Sequence, residues 1–250
     1  MPGVVSPLSG GFPHTCDAGG AAETAPTFGT KGPRELVWVS KVLAPVVESA
    51  ATAAADRRIT FSSVMHEDAP PVLAVTDDLA EVVARVLDNA VKYTPPDGAV
   101  AVSVAATPAV DGDVGGGRAG CRFRPAGVDV WVADTGRGMA AADLPRVLKR
   151  GFRGRGGRAA LLAADGVAGT GANDGAAAVA AAVGALPLRP PSPDGGDVFG
   201  SGLGLAIVAE LVAAAGGCVR VESLPAGGTG VCVWMPRAKM RRHLGTGAED

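Results

Sequence analysis

The chain has 250 residues, among them 37 Gly and 19 Pro, and a formal charge of −2, which lacks the cationic surplus a general nucleic-acid binder needs to neutralise phosphates. Its four cysteines, Cys16, Cys121, Cys218 and Cys232, show no CxxC spacing, which excludes a zinc ribbon or a disulfide framework and fits a reducing compartment. The longest weakly polar run, residues 175–188, is Ala-rich and shorter than the roughly 20 residues of a membrane span, so no transmembrane segment is expected.

Residues 1–34 are polar and Gly/Pro-rich and read as a disordered or targeting tail. One domain is expected over residues 35–237, with a second tail at 238–250. From Leu36 to Ala55 apolar residues recur at helical spacing, which predicts an amphipathic helix. Strands are predicted at Arg57 to Val64 and Val72 to Val75. A second helix follows from Asp77 to Tyr93, capped by Asp77 or Asp78 and stopped by Pro95 and Gly98. Ala99 to Ala105 and Gly127 to Ala133 read as strands around a DGDVGGG loop, an exposed insertion. Ala141 to Lys149 is predicted as a short helix and Leu203 to Ala215 as a longer, nearly all-apolar one. Cys218 to Glu222 and Gly230 to Trp234 close the domain as strands. The order lacks a strict βαβ repeat, so the expected fold class is α+β: a mixed sheet covered on one face by helices. Residues 153–199 are rich in Gly, Ala and Pro, with too few large apolar groups to offset ordering entropy, and read as a long mobile segment.

Three places could carry chemistry. Arg85, Asn89, Lys92 and Tyr93 stand at i, i+4, i+7 and i+8 of the second helix, on one polar stripe. An amide and cationic groups in such a row suit a metal ion and phosphates, although the same stripe also suits a solvated helix edge. Asp134 ends a strand and is followed by Gly136 and Gly138, which let a flat ligand approach the backbone, or simply make a turn. Gly200, Gly202, Leu203 and Gly204 precede an apolar helix whose unpaired N–H groups face any anion before it.

The blocks LDNAVKYTP, ADTGRGM, KRGFRG and FGSGLGLAIV occur in an order that resembles the Asn box, first glycine box, Phe box and second glycine box of sensor histidine kinases. Gyrase, Hsp90 and MutL share that ATPase superfamily. The resemblance covers roughly Leu36 to Pro236 and implies the α/β sandwich of the histidine-kinase ATPase (Bergerat) type, binding ATP and Mg²⁺. It implies Asn89 as the magnesium ligand, Lys92 as a phosphate contact and Tyr93 as a flank of the nucleotide. Asp134 would read adenine, with Gly136, Gly138 and Met139 shaping the pocket and Thr229 near the adenine edge. Phe152 would anchor the lid, residues 153–199, and Arg153 would reach a phosphate. Gly200, Gly202, Leu203 and Gly204 would line the triphosphate. Asn89, Lys92 and Arg153 are thereby the candidate catalytic residues.

One position departs from the family. Four residues before the Asn, members usually place Asn or Glu, whereas this chain has Arg85, which stays protonated and cannot act as a base. The family's phospho-acceptor hairpin is also not recognised, since His14, His66 and His243 lie in no matching helical context. The implied function is therefore the ATP-binding catalytic domain of a sensor histidine kinase, acting on a separate phospho-acceptor domain or response regulator in two-component signalling. Alternatives are a non-catalytic ATP-gated interaction module and a serine/threonine kinase of the same superfamily. A cytoplasmic location is expected, or the plastid stroma if the source is algal.

Overall fold

The computed structural model describes residues 32–111, 123–152, 202–224 and 227–239. The DGDVGGG loop beyond Asp111, the 153–199 segment, Arg153, Gly200 and most of both tails lie outside them. In chain order the elements are β1 (Glu35–Val37), α1 (Val39–Asp56), β2 (Thr60–Met65), β3 (Val72–Ala74) and α2 (Thr76–Tyr93). There follow β4 (Ala99–Thr107), β5 (Val110–Asp111), β6 (Phe123–Arg124) and β7 (Gly127–Asp134), then a 3₁₀ turn (Leu144–Arg146), α3 (Gly204–Ala214), β8 (Cys218–Ser223) and β9 (Thr229–Pro236).

Five strands form the main sheet in the order β2-β4-β7-β9-β8, with β2 parallel to β4 and every other pair antiparallel. The parallel pair is possible because β3 and α2 supply the long crossover such a pair requires. Strand alternation then sorts the side chains. Val100, Val102 and Val104 of β4, Val128, Val130 and Val132 of β7, Val219 and Val221 of β8, and Val231, Val233 and Met235 of β9 all join the large core. Against them lie Leu43 and Val47 of α1, Val82, Val83, Val86 and Leu87 of α2, and Ile207, Val208, Leu211 and Val212 of α3. The expected α+β class, a mixed sheet with helices on one face, is what the chain adopts.

The other face carries Ala101, Trp131, Ala133 and Cys232 as a smaller cluster. Two cross-strand glycines make room for its indoles: a Cβ at Gly230 would sit 2.8 Å from the Trp131 ring, and one at Gly127 would strike Trp234. Each ring thus lies across a glycine of the neighbouring strand, the arrangement that compensates for glycine's missing side chain in a sheet. The Arg220 guanidinium packs 5.6 Å from the centre of the Trp131 ring.

Three expectations are corrected. Leu36 belongs to a strand, pairing with Leu73 across the β1–β3 ladder, so the first helix begins only at Val39. Neither Asp77 nor Asp78 caps α2; Val75 precedes it, both carboxylates fall in its first turn, and Asp78 is buried. The stretch 141–149 forms turns and a single 3₁₀ turn, because Pro145 at its middle lacks the N–H that an α-helix would bond to the Ala141 carbonyl and its ring crowds that carbonyl.

Candidate functional site

Three chain reversals meet at the end of the sheet nearest the C-terminus of α2. Asp134 is the last residue of β7, and its side chain is buried among backbone rather than in water. Its Oδ1 accepts the Gly136 N–H at 2.8 Å and the Thr229 N–H at 3.3 Å. Burial nevertheless outweighs both donors and pushes the carboxyl up to about 7. No hydrogen bond among the described residues reaches Oδ2, so this oxygen is left for a donor in the pocket.

Glycines are what allow the three segments to approach so closely. A Cβ at Gly136 would lie 2.6 Å from the Tyr93 carbonyl oxygen and 2.7 Å from Asp134 Oδ1. Gly228 has φ +93°, and a Cβ there would collide with the Asp134 carbonyl. Gly138, at φ +66°, lies against Gly228, while Met139 packs on the core. The wall of the pocket is therefore bare backbone, which suits a flat aromatic ligand.

Asn89 lies half-buried on α2. A Cβ at Gly204, the first residue of α3, would stand 3.3 Å from its amide nitrogen. The amide group of Asn89 and the free N–H groups at the start of α3 therefore face one space, an arrangement that suits an anion and its counter-ion. Lys92 and Tyr93 complete this end of α2, with the Lys92 ammonium 5.7 Å from the centre of the Tyr93 ring. The Arg137 guanidinium stacks closer, at 4.7 Å. Arg137 is a candidate the sequence reading passed over; its signal was a cation between the two glycines of Asp-Thr-Gly-Arg-Gly. Thr229 lies beside Asp134, and its bond to that carboxylate comes from its backbone N–H.

The Phe152 side chain rests on the core, with the Arg146 guanidinium 4.9 Å above its ring. The Gly151 N–H donates to the Gly202 carbonyl at 3.1 Å, and a Cβ on Gly202, at φ +69°, would lie 2.8 Å from the Phe152 carbonyl oxygen. Arg150 reaches α3, where both its Nε and Nη2 donate to the Glu210 carboxylate at 2.6 Å. Leu203 is exposed beside this junction. Of the candidate residues, Asn89, Lys92, Tyr93, Gly202, Leu203 and Gly204 gather on one side and Asp134, Gly136, Gly138, Met139 and Thr229 on the other. Phe152 lies beside the Gly151–Gly202 junction between them.

A mixed sheet under three helices, with a buried carboxylate at a strand end and an Asn facing a glycine-started helix, makes an α/β sandwich with its polar groups gathered at one end. The chain belongs to the family described as histidine kinase-, DNA gyrase B-, and HSP90-like ATPases, whose pattern matches residues 74–239. It is 30% identical over 189 residues to the sensor histidine kinase Hik2 of Synechocystis, covering 74% of this chain and 32% of that protein. A Hik2 from Thermosynechococcus vestitus is 30% identical over 160 residues, 64% of this chain and 35% of the relative. The chain thus spans about a third of the length of these relatives. Solved structures share the fold. The mycobacterial sensor histidine kinase MprB superposes with a TM-score of 0.51 at 22% identity, covering 83% of this chain and 99% of that one. Full-length ShkA in complex with AMPPNP gives 0.53 at 22% identity, over 85% and 32%.

Proposed function

We propose that the chain is the ATP-binding catalytic domain of a sensor histidine kinase and that it passes the γ-phosphate to a His on a phospho-acceptor domain. The observation that carries this reading is Asp134: a buried carboxylate with one oxygen satisfied by backbone and the other open is matched to the exocyclic amine of adenine. Guanine presents a carbonyl there and would leave two acceptors facing each other, which costs on the order of 1–3 kcal/mol. Asn89, Lys92 and the start of α3 would receive the triphosphate, and Tyr93 with Arg137 would flank the nucleotide.

Among the described residues no cluster of three or more acidic, His or Cys side chains could hold a metal. A magnesium ion arriving with the nucleotide fits this donor set, since Mg²⁺ takes one or two protein oxygens and completes its shell with phosphates and water. Asn89 would supply the protein oxygen. Bound there, the ion neutralises phosphate charge. The remaining work falls to positioning: α2 and α3 hold the phosphates in line, and Arg153 and Lys92 balance charge as it develops. The partner would be a phospho-acceptor domain or response regulator. Among the described residues no helix is long and apolar enough to cross a membrane, and a cytoplasmic site of action agrees with the supply of ATP.

Calorimetric titration with a non-hydrolysable ATP analogue, with and without Mg²⁺ and against GTP, tests the reading. Magnesium-dependent, adenine-selective binding is expected; equal affinity for GTP would overturn the role of Asp134. Arg85 favours a second reading, a non-catalytic ATP-gated module, because a guanidinium, which cannot act as a base, stands where the family resemblance implies Asn or Glu. Incubation with radiolabelled ATP and an isolated phospho-acceptor hairpin separates the two. Label on the acceptor His supports transfer, and nucleotide binding without label supports the module.

A further inference from the structure

The side chain that departs from the family pattern has a defined partner on its own helix. Arg85 lies one helical turn before Asn89, about 6 Å along α2, on the same polar flank. Its Nε and Nη2 both donate to Glu81 Oε1, at 3.0 and 2.7 Å, one turn further back. Glu81, Ala84, Arg85 and Asp88 line a shallow, wide-open groove on one flank of α2. Arg85 is ion-paired there to Glu81, one turn from the amide that faces the start of α3.

We propose that Arg85 is the residue that distinguishes a nucleoside triphosphate from a diphosphate, exchanging Glu81 for the terminal phosphate. Three observations support the exchange. A guanidinium offers several N–H donors in a plane, yet Glu81 Oε1 receives only two of them through a single oxygen. The pair is partly exposed, at 38% and 23%, so breaking it costs little. A terminal phosphate carries more charge and more acceptor oxygens than the carboxylate it replaces. A nucleotide whose phosphates ran from the start of α3 past Asn89 would bring its outermost phosphate within reach of Arg85, whereas a diphosphate would end one phosphate short. Glu81 acts as a positioning residue: it keeps the guanidinium extended over the groove and competes with the phosphate for it.

This inference rests on the ATP-site reading, and the experiment separates the two failures. The full chain would be titrated calorimetrically with a non-hydrolysable ATP analogue and with ADP, both in excess Mg²⁺, for wild type, Arg85→Asn, Arg85→Lys and Glu81→Gln. The wild type should prefer the triphosphate. Arg85→Asn should reduce that preference about tenfold with ADP affinity unchanged, Arg85→Lys should fall between, and Glu81→Gln should raise the preference several-fold. A preference untouched by Arg85→Asn overturns the proposal while leaving the site intact, as does an equal loss for both nucleotides. Failure of the wild type to bind even ADP overturns the ATP site itself, and this proposal with it.

Discussion

The carboxyl of Asp134, raised to about 7, ties nucleotide binding to pH. Folding binds its proton more tightly than the unfolded chain does. The stability this brings is fully present below about pH 4 and is lost as the pH rises through about 7. The ionised form is the one that accepts from adenine, so binding runs the other way. Affinity for the ATP analogue should be about tenfold weaker at pH 6 than at pH 8, as read by titration in buffers of matched ionic strength. Asp134→Asn should abolish that step, lose the preference for ATP over GTP, and raise the melting temperature of the unliganded protein at pH 8. A pH step that survives in the Asn variant would assign it to the phosphates instead. Asp134 was legible in the sequence because an acidic residue closes an otherwise alternating strand just before two glycines. Arg137 was not: its stacking on Tyr93 depends on the end of α2 meeting the turn after β7, a juxtaposition separated by some forty residues of chain.

At the scale of the element, the turn before β9 sets the geometry of the site. Gly227 and Gly228 are both left-handed, at φ +90° and +93°, but a Cβ on Gly227 meets open space whereas one on Gly228 runs into the Asp134 carbonyl. Gly227→Ala should cost only the conformational penalty of about 1–2 kcal/mol. Gly228→Ala should cost more, about 3 kcal/mol or above, and weaken nucleotide binding as well. Urea denaturation of the pair measures the difference, and equal losses would show that the turn yields freely. The helix of residues 76–93 could be read from its apolar spacing because one face packs on the sheet, and that of residues 204–214 from an almost unbroken apolar run after a glycine turn. Residues 141–149 also carry apolar residues but have Pro145 at their middle, and the backbone constraint overrode the spacing. Leu36 misled in the opposite way, since an apolar residue one turn before a helix also serves as a strand partner.

Across the whole molecule, the general architecture followed from the sequence, whereas the strand order β2-β4-β7-β9-β8 did not, because it depends on pairings between distant segments. The bond from the Gly151 N–H to the Gly202 carbonyl holds the two ends of the intervening stretch side by side. Replacing residues 157–197 with a short Gly-Ser linker should therefore leave the melting temperature within about 2 °C, since loop length changes closure entropy only slowly. A larger drop in a thermal melt would show that the insertion supports the sheet. The two faces of that sheet also divide the chromophores of the protein. Of its three tryptophans, Trp131 and Trp234 lie on the face away from the helices and Trp38 precedes α1, whereas its one tyrosine, Tyr93, borders the site. Indole emission will thus follow unfolding of the sheet and remain nearly silent as nucleotide enters. A fluorescence signal for occupancy has to be installed by mutation on the helical side, at Leu203 for example, where an indole would stand beside the site rather than beneath the sheet.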